Sequence, residues 1–290
     1  MKQTGLTTSG LMLLGSAALT GCSAGGTNDK DLMISLAQWS LNRPLNAGEM
    51  DNLEFAGKAR EFGINAIEYV NQFFKDKAND KAYLDQMNAR ADDAGVEQLL
   101  IMIDGEGPLG SLDDDERNTA VQNHYKWVEA AKYLGCHSIR VNAYGEGNSG
   151  DVQEAAVDGL GRLAEFAKPF DINVIVENHG GYSSHGQWLA GVMKQVDMDN
   201  CGTLPDFGNF YEYDRYQGVR DMMPWAKAVS AKSHDFNEEG HETRIDYSRM
   251  IGIVREFGYT GYIGIEYEGS RLSPDEGILA TRRLLEACIG

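Results

Sequence analysis

Eight short apolar runs alternate with eight longer amphipathic segments along most of this chain, and this alternation restricts the fold more than any other feature. The apolar runs are rich in β-branched residues and predict strands, which we place at residues 32–38, 65–70, 98–104, 138–143, 173–178, 202–207, 228–234 and 262–268. The intervening segments have helical periodicity and predict helices at residues 51–62, 81–94, 116–134, 152–170, 187–195, 213–225, 246–257 and 274–288.

Strands that are each followed by a helix predict a parallel sheet covered by helices. Eight such units within residues 32–290 predict an α/β fold, the (β/α)8 TIM barrel, in a single domain. A doubly wound sheet is the alternative. The loop after its first strand would carry a GxGxxG motif in the dinucleotide-binding version, and this chain has none there.

The composition is strongly acidic, with 26 Lys and Arg against 44 Asp and Glu and a formal net charge of −18. Nucleic-acid binding depends on clustered Lys and Arg opposite the phosphates, so we expect no nucleic-acid partner. The three cysteines after residue 31, which are Cys136, Cys201 and Cys288, lack CxxC spacing. They therefore predict neither a disulfide framework nor a cysteine-bound zinc ion.

The first residues have the pattern of an export signal. The apolar stretch at residues 11–19 is too short to span a bilayer as a helix, and the "LTGC" that ends at Cys22 resembles a bacterial lipobox. The resemblance implies that residues 1–21 are a lipoprotein signal peptide, that Cys22 is lipidated and that residues 22–31 are a tether. We then expect an exported, membrane-anchored lipoprotein, periplasmic or at the cell surface, which touches the membrane through its lipid anchor only.

Polar side chains end almost every predicted strand. The last inward positions are Gln38, Glu68, Met102 or Asp104, Asn142, Glu177, Asp206, His234 and Glu266. Active sites of (β/α)8 barrels lie at the carboxyl ends of the strands, and a buried ring of polar groups is costly unless it binds something. The sequence therefore predicts a functional site at this rim.

Four of these residues, Glu177, Asp206, His234 and Glu266, end four successive strands. Three converging carboxylates would repel one another without a cation, whereas a divalent ion would accept them together with the imidazole. A mixed set of oxygen and nitrogen ligands suits one Mn²⁺, Mg²⁺, Co²⁺ or Zn²⁺ ion. The seventh run, "AVSAKSHDF", also permits a register in which Ser230 and Lys232 take the inward positions.

The motifs at these strand ends resemble those of the xylose isomerase-like TIM-barrel superfamily, the sugar phosphate isomerase/epimerase family. They are "VENHGG", "PDFGN", "AKSHDF" and "IGIEYEG", and the resemblance covers nearly the whole chain after residue 31. It implies that Glu177, Asp206, His234 and Glu266 are the metal ligands. It also implies that Glu177 and Glu266 are the catalytic residues that move protons.

The resemblance implies a metal that chelates a sugar carbonyl with its neighbouring hydroxyl and polarises the carbonyl. One glutamate takes the proton from the carbon beside the carbonyl, which gives a metal-bound enediolate, and the other returns a proton. Return from the opposite face is epimerisation, and return to the neighbouring carbon is isomerisation.

Six further residues are candidates for substrate binding. Lys232 lies two residues before His234 and should point into the barrel, where it neutralises carboxylates or binds a substrate oxygen. His179 lies two residues beyond Glu177 and is expected to orient the substrate or act as a second acid or base. The other four candidates are Glu68 and Asn142 at strand ends, Trp39 as a stacking face for a sugar, and Arg244 in a loop that reaches over the site.

Ketose 3-epimerases carry a further Glu after the fifth-strand ligand and a His after the sixth-strand Asp. Ser183 and Asn209 are the nearest equivalents here, and neither can do the same work, which argues against 3-epimerisation of a free ketose.

Three hypotheses about function follow. The first is an isomerase or epimerase of a non-phosphorylated keto-sugar, since sugar phosphates are scarce outside the cytoplasm. The second is a lyase or hydratase that acts on 3-keto-sugars or 3-keto-glycosides at the same metal site, and His179 as a proton donor would favour it. The third is a sugar-binding lipoprotein without catalysis. The sequence leaves open whether the protein forms a homo-oligomer.

Overall fold

Apart from Met1, the computed structural model describes residues 32–290, so the predicted signal peptide, the lipidated Cys22 and the tether lie outside the described residues. All eight predicted strands are present. They are β1 (Met33–Ala37), β2 (Ala66–Val70), β3 (Glu97–Met102), β4 (Ser138–Val141), β5 (Asn173–Glu177), β6 (Cys201–Leu204), β7 (Val229–Ser233) and β8 (Tyr262–Tyr267).

The strands pair in parallel in the order β6-β5-β4-β3-β2-β1-β8-β7. Two isolated bridges, from Thr203 to Ala226 and from Asp206 to Ser230, join the ends of this series and close it into a circle. The prediction of a single-domain (β/α)8 TIM barrel is confirmed.

Helices surround the strands, and those described are α1 (Asn42–Ala47), α2 (Phe55–Glu61), α3 (Lys81–Ala94), α4 (Asp114–Tyr133), α5 (Ser149–Ala167), α6 (Gly186–Val196), α7 (Arg215–Met222), α8 (Tyr247–Glu256) and α9 (Pro274–Ile289). Each predicted helix is present, while the short α1 was not predicted. Gly95 ends α3 in the left-handed region with a φ of 64°, as its position after the helix predicts. Within residues 32–290, no helix has the length and apolarity needed to cross a membrane.

The barrel interior changes from apolar to charged along the strands. Ile175 and Leu204 pack together in an apolar cluster inside the barrel. Side chains two residues apart on a strand face the same way, so Glu177 and Asp206 also point inward, nearer the carboxyl ends. Pro205 has no N–H, and β6 ends directly before it, which is shorter than the predicted strand at 202–207.

Close packing of α9 on β8 requires a glycine. A Cβ at Gly277 would lie 2.2 Å from two ring carbons of the buried Tyr267. The helix α9 can therefore lie this close to β8 because residue 277 has no side chain. Gly252 in α8 is exposed, and a Cβ there would meet nothing within 4 Å.

We therefore expect Gly277→Ala to lower the free energy of unfolding by about 1–3 kcal/mol, because the added methyl overpacks the core. The control Gly252→Ala should raise it by up to about 1 kcal/mol through helix propensity. Urea unfolding followed by circular dichroism measures both changes. Equal effects of the two substitutions would contradict the packing of α9 described here.

Candidate active site

Three acidic side chains converge at the carboxyl ends of β5, β6 and β8. Glu177 is the last residue of β5, Asp206 follows β6 by two residues, and Glu266 is the last but one residue of β8. One oxygen from each lies within 4.8 Å of the oxygens of the other two. All three side chains are buried, with at most 4% of their surface exposed. We call these three residues the carboxylate cluster.

Asp206 is held by four neighbours. Its Oδ1 accepts hydrogen bonds from the backbone N–H groups of Gly208 and Asn209, both at 2.8 Å, and its Oδ2 accepts one from Ser230 at 2.7 Å. The amide side chain of Asn178 accepts from the Asp206 N–H at 2.7 Å and donates to the Asp206 carbonyl at 3.0 Å. The sequence analysis did not single out Asn178, although it directly follows Glu177.

Hydrogen bonds do not use the full accepting capacity of the carboxylate cluster. The Ser230 hydroxyl lies 2.7 Å from one oxygen of Asp206 and 3.1 Å from Oε2 of Glu266, yet its single hydrogen can serve only one carboxylate at a time. Oε2 of Glu177 is buried and accepts no hydrogen bond from the described residues. The Glu177 oxygen, and whichever of the two oxygens near Ser230 receives no hydrogen from it, could therefore accept a cation.

Two buried cations face the cluster. Lys232 places its Nζ 3.1 Å from Oε1 of Glu266 and 3.2 Å from Oε1 of Glu268. Nε of Arg140 lies 2.9 Å from Oε2 of Glu177, but its N–H does not point at this oxygen, so the contact is an ion pair without a hydrogen bond. The predicted inward position of Lys232 is where the structure places it.

Arg140 also binds Asp104, whose Oδ1 lies 2.8 Å from Nη1 of Arg140 and accepts a second hydrogen bond from Asn142 at 2.7 Å. Glu68 is not among the ion-pair partners of Arg140 in the part of the chain that the structure describes. Arg140 is on β4, between the strands that position Asp104 and Glu177, whereas Glu68 is on β2 and accepts a hydrogen bond from Ser35 at 2.6 Å. Oδ1 of Asn142 is buried without a partner among the described residues.

The charges inside the barrel leave a deficit that fits a divalent ion. Glu68 and the carboxylate cluster supply four buried carboxylates, and Arg140 and Lys232 supply two buried cations. Buried charge is costly unless it is paired, so when all four carboxylates are ionised the two excess negative charges favour a bound ion of charge +2. With the orphaned oxygen of Glu177, this deficit means that the residues present fit a divalent metal.

The pKa values separate the two glutamates that the sequence analysis proposed as catalytic. Burial raises the pKa of Glu177 to about 7, although Arg140 opposes the shift. Burial also acts on Glu266, but Lys232, Arg140 and the hydrogen bond from Ser230 together outweigh it and hold the pKa of Glu266 below its ordinary value. Burial raises the pKa of Asp206 to about 7. Before a metal binds, Glu177 therefore exchanges a proton near neutral pH while Glu266 stays ionised.

His234 lies apart from the carboxylate cluster. It follows the end of β7, its side chain is half-buried, and its backbone N–H donates to Glu242 at 3.2 Å. It lines a rim cavity of about 290 Å³ together with Arg244 and Glu268. The register with Ser230 and Lys232 inside the barrel is the one that the structure adopts, and the role of His234 as a metal ligand stays a prediction.

The remaining candidates lie at the rim. His179 is exposed, and partial desolvation together with the nearby cation of Arg140 lowers its pKa below the ordinary value. Trp39 is partly exposed and its ring packs at 6.1 Å from the ring of Phe73. Arg244 is exposed beside His234. Their proposed contacts with a substrate stay predictions.

The residues that the sequence analysis named as departures from ketose 3-epimerases have different surroundings. Asn209 donates from its amide to Oε1 of Glu177 at 3.0 Å and so belongs to the site. Ser183 accepts from the His179 N–H at 3.0 Å and donates to the Gly180 carbonyl at 2.8 Å, so it holds the loop after β5.

The family model of the xylose isomerase-like TIM barrel matches residues 56–288. No curated protein matches the sequence. Solved structures of the same fold include D-psicose 3-epimerase from Clostridium cellulolyticum, with a TM-score of 0.72 and 14% identity over 89% of this chain and 99% of that one.

A second similar structure is the 3-keto-D-glucoside 4-epimerase from E. coli, with a TM-score of 0.67 and 15% identity over 81% of this chain and 94% of that one. A third is a probable 3-DHS dehydratase from Bacillus anthracis, with a TM-score of 0.66 and 16% identity over 88% of this chain and 99% of that one. One further similar structure holds zinc, and another is a complex with magnesium. At these identities, the likeness to solved structures establishes the fold alone.

The buried Glu68 predicts how the stability of the metal-free protein depends on pH. Burial raises its pKa to about 7, so the folded chain binds this proton more tightly than the unfolded chain. Its effect on stability is therefore absent below the ordinary value of 4.5 and becomes unfavourable as the pH rises toward 7 and above.

In excess chelator we expect Glu68→Gln to stabilise the fold at pH 8 by on the order of 2–3 kcal/mol and to change little at pH 4. The substituted side chain keeps an oxygen to accept from Ser35. Denaturant unfolding at the two pH values measures this, with the exposed Glu239→Gln as the control. An equal increase in the free energy of unfolding at both pH values would contradict the view that the buried, ionised Glu68 destabilises the fold.

Proposed function

We propose that this chain, which belongs to the xylose isomerase-like TIM barrel family, is a divalent-metal-dependent isomerase or epimerase of a non-phosphorylated keto-sugar. The observation that carries the proposal is the carboxylate cluster, whose three buried residues bring their oxygens within 4.8 Å of one another. Epimerases among the similar structures, and the zinc and magnesium bound in two others, support the same class of enzyme. The cluster would accept Mn²⁺, Mg²⁺, Co²⁺ or Zn²⁺.

Glu177, Asp206 and Glu266 would hold the metal, whereas His234, which the sequence predicts as the fourth ligand, lies outside the carboxylate cluster. When bound, the metal would polarise the substrate carbonyl and make the neighbouring C–H more acidic. Glu177 takes that proton, and Glu266, on the other side of the junction between β6 and β7, returns one. A pKa of about 7 for the metal-free Glu177 is suited to proton exchange near neutral pH.

Polar groups around the cluster would orient the sugar. The Asn142 oxygen without a partner accepts from a substrate hydroxyl, and Lys232 donates to a substrate oxygen. Sugar phosphates are scarce outside the cytoplasm, where the export signal predicted from the sequence would place this protein. The sugar is therefore proposed to be non-phosphorylated.

A lyase or hydratase of 3-keto-sugars or 3-keto-glycosides is the second candidate. The exposed His179 favours it, because an imidazole that its lowered pKa leaves neutral at pH 7 can take the proton of an attacking water in the hydratase direction. A rim cavity of about 710 Å³, lined by Tyr182, Trp188 and Tyr213 among others, offers room for the remainder of a glycoside. The dehydratase among the similar structures is consistent with such chemistry. A sugar-binding protein without catalysis is the third.

Hydrogen exchange in D₂O separates these functions. We expect metal-loaded protein to introduce deuterium beside the carbonyl of a ketose or 3-keto-glycoside, without elimination, as read by NMR. Release of water or an alcohol would establish the lyase, and binding without any exchange would leave the sugar-binding protein.

Glu177→Gln should abolish this exchange, because the amide cannot take the proton. The matched control is Glu106→Gln, a buried glutamate that accepts from Trp127 at 2.7 Å and lies outside the carboxylate cluster, and it should retain exchange. Unchanged deuterium exchange in Glu177→Gln would show that Glu177 is not the base that takes the proton.

We also propose that the protein is an exported lipoprotein, anchored through Cys22. This proposal rests on the "LTGC" motif alone, in residues outside those described. In cells, Cys22→Ala should abolish the incorporation of labelled fatty acid and move the protein from the membrane fraction to the soluble fraction. A membrane fraction that keeps the variant would exclude the anchor. Homo-oligomerisation stays a prediction.

A further inference from the structure

We infer that Lys232 is a built-in cation of the site, which takes the place that a neutral ligand from β7 would occupy and keeps the affinity for a divalent metal low. The inference deepens the proposed function, since it rests on the same carboxylate cluster. It assigns to β7 an ammonium group where the sequence analysis assigned the imidazole of His234.

The alternation along β7 places Lys232 inside the barrel. Ser230 and Lys232 are two residues apart and both are buried, with the Ser230 hydroxyl between Asp206 and Glu266. The Lys232 ammonium contacts Glu266 at 3.1 Å, and the residue is 1% exposed. The strand β7 therefore meets the carboxylate cluster with the Ser230 hydroxyl and with a cation, the Lys232 ammonium.

A glycine in the next loop provides space for the lysine. A Cβ at Gly208 would lie 2.8 Å from Cδ and 2.9 Å from Cγ of Lys232, so a larger residue would displace the aliphatic stem. The same Gly208 donates its N–H to Asp206 at 2.8 Å. One residue thus holds a member of the carboxylate cluster and the side chain that neutralises it.

His234 does not compete for this position. It lies beyond the last residue of β7, half-buried at a rim cavity with Arg244 and Glu268. Glu268 links the two places, because its carboxylate lines that cavity and contacts the Lys232 ammonium at 3.2 Å. Lys232 thus contacts both the carboxylate cluster and a residue that lines the cavity of His234.

The ammonium and a divalent ion share the carboxylate of Glu266, and their charges have the same sign. Repulsion between a single and a double charge a few ångströms apart in a buried site opposes metal binding strongly. Removal of the ammonium leaves the carboxylates uncompensated and should therefore strengthen metal binding. Such a lysine also keeps the metal-free barrel folded, because it pairs charges that would otherwise be buried alone.

The test is calorimetric titration of MnCl₂ into the full chain after chelator treatment, without any sugar. We expect the wild-type chain to bind with micromolar or weaker affinity and Lys232→Gln to bind at least about tenfold more tightly. Lys232→Arg is the charge-matched control and should stay close to wild type. His234→Gln should also leave the affinity unchanged.

Nanomolar binding by the wild-type chain, or equal or weaker binding by Lys232→Gln, would overturn the inference. A tenfold loss of affinity in His234→Gln would also overturn it, since His234 would then be a ligand. Should Lys232→Gln fail to fold without metal, the wild-type and His234→Gln affinities still decide the outcome.

The outcome is separable from that of the proposed function. Tighter binding by Lys232→Gln in a protein that exchanges no deuterium with any sugar would uphold the inference and leave the proposed function unsupported. Deuterium exchange by a wild-type chain that binds Mn²⁺ with nanomolar affinity would support the proposed function and overturn the inference.

Discussion

The burial of four carboxylates in one barrel interior is the constraint on which the rest of this structure depends. Glu68 and the carboxylate cluster are almost fully withdrawn from water, where ionised groups are costly unless they are paired. Arg140 and Lys232 supply the internal pairing, and they still leave an excess of negative charge. A fold that keeps such an arrangement has given up stability at this place, which is typical of functional sites.

The surrounding polar groups fix the acids and leave part of their bonding capacity unused. Both oxygens of Asp206 accept hydrogen bonds, and Asn178 holds its backbone on both sides. Glu177 has one oxygen bound by Asn209 and the other without a hydrogen bond. Asp206 is therefore fixed on both oxygens, whereas Glu177 keeps one oxygen without a hydrogen bond. This difference is expected between a residue that only holds a ligand and one that also moves a proton.

The fold and the three acids could be predicted from the sequence, because periodicity and strand ends are local patterns. The eight runs gave the eight strands, and the inward positions at their ends gave Glu177, Asp206 and Glu266. The inward face of β7 was harder, since Lys232 and His234 both fit the alternation and the end of the strand decides between them. The partners of Arg140 depend on which strands are neighbours across the sheet, and Asn178 acts through the backbone of another strand. Neither contact leaves a pattern in the local sequence.

The closure of the barrel at β6 and β7 gives the site a mechanical role. The other neighbouring strands pair over runs of at least two residues, whereas this junction has isolated bridges, one of which joins Asp206 to Ser230. With few backbone hydrogen bonds, the junction is the weakest point of the circle and the place where local opening costs least. The hydrogen bond between the side chains of Asp206 and Ser230 also crosses this junction. A cation bound by residues of β5, β6 and β8 would hold the strands on its two sides together. Metal binding would therefore slow amide hydrogen exchange along the junction of β6 and β7, including residues that do not touch the ion.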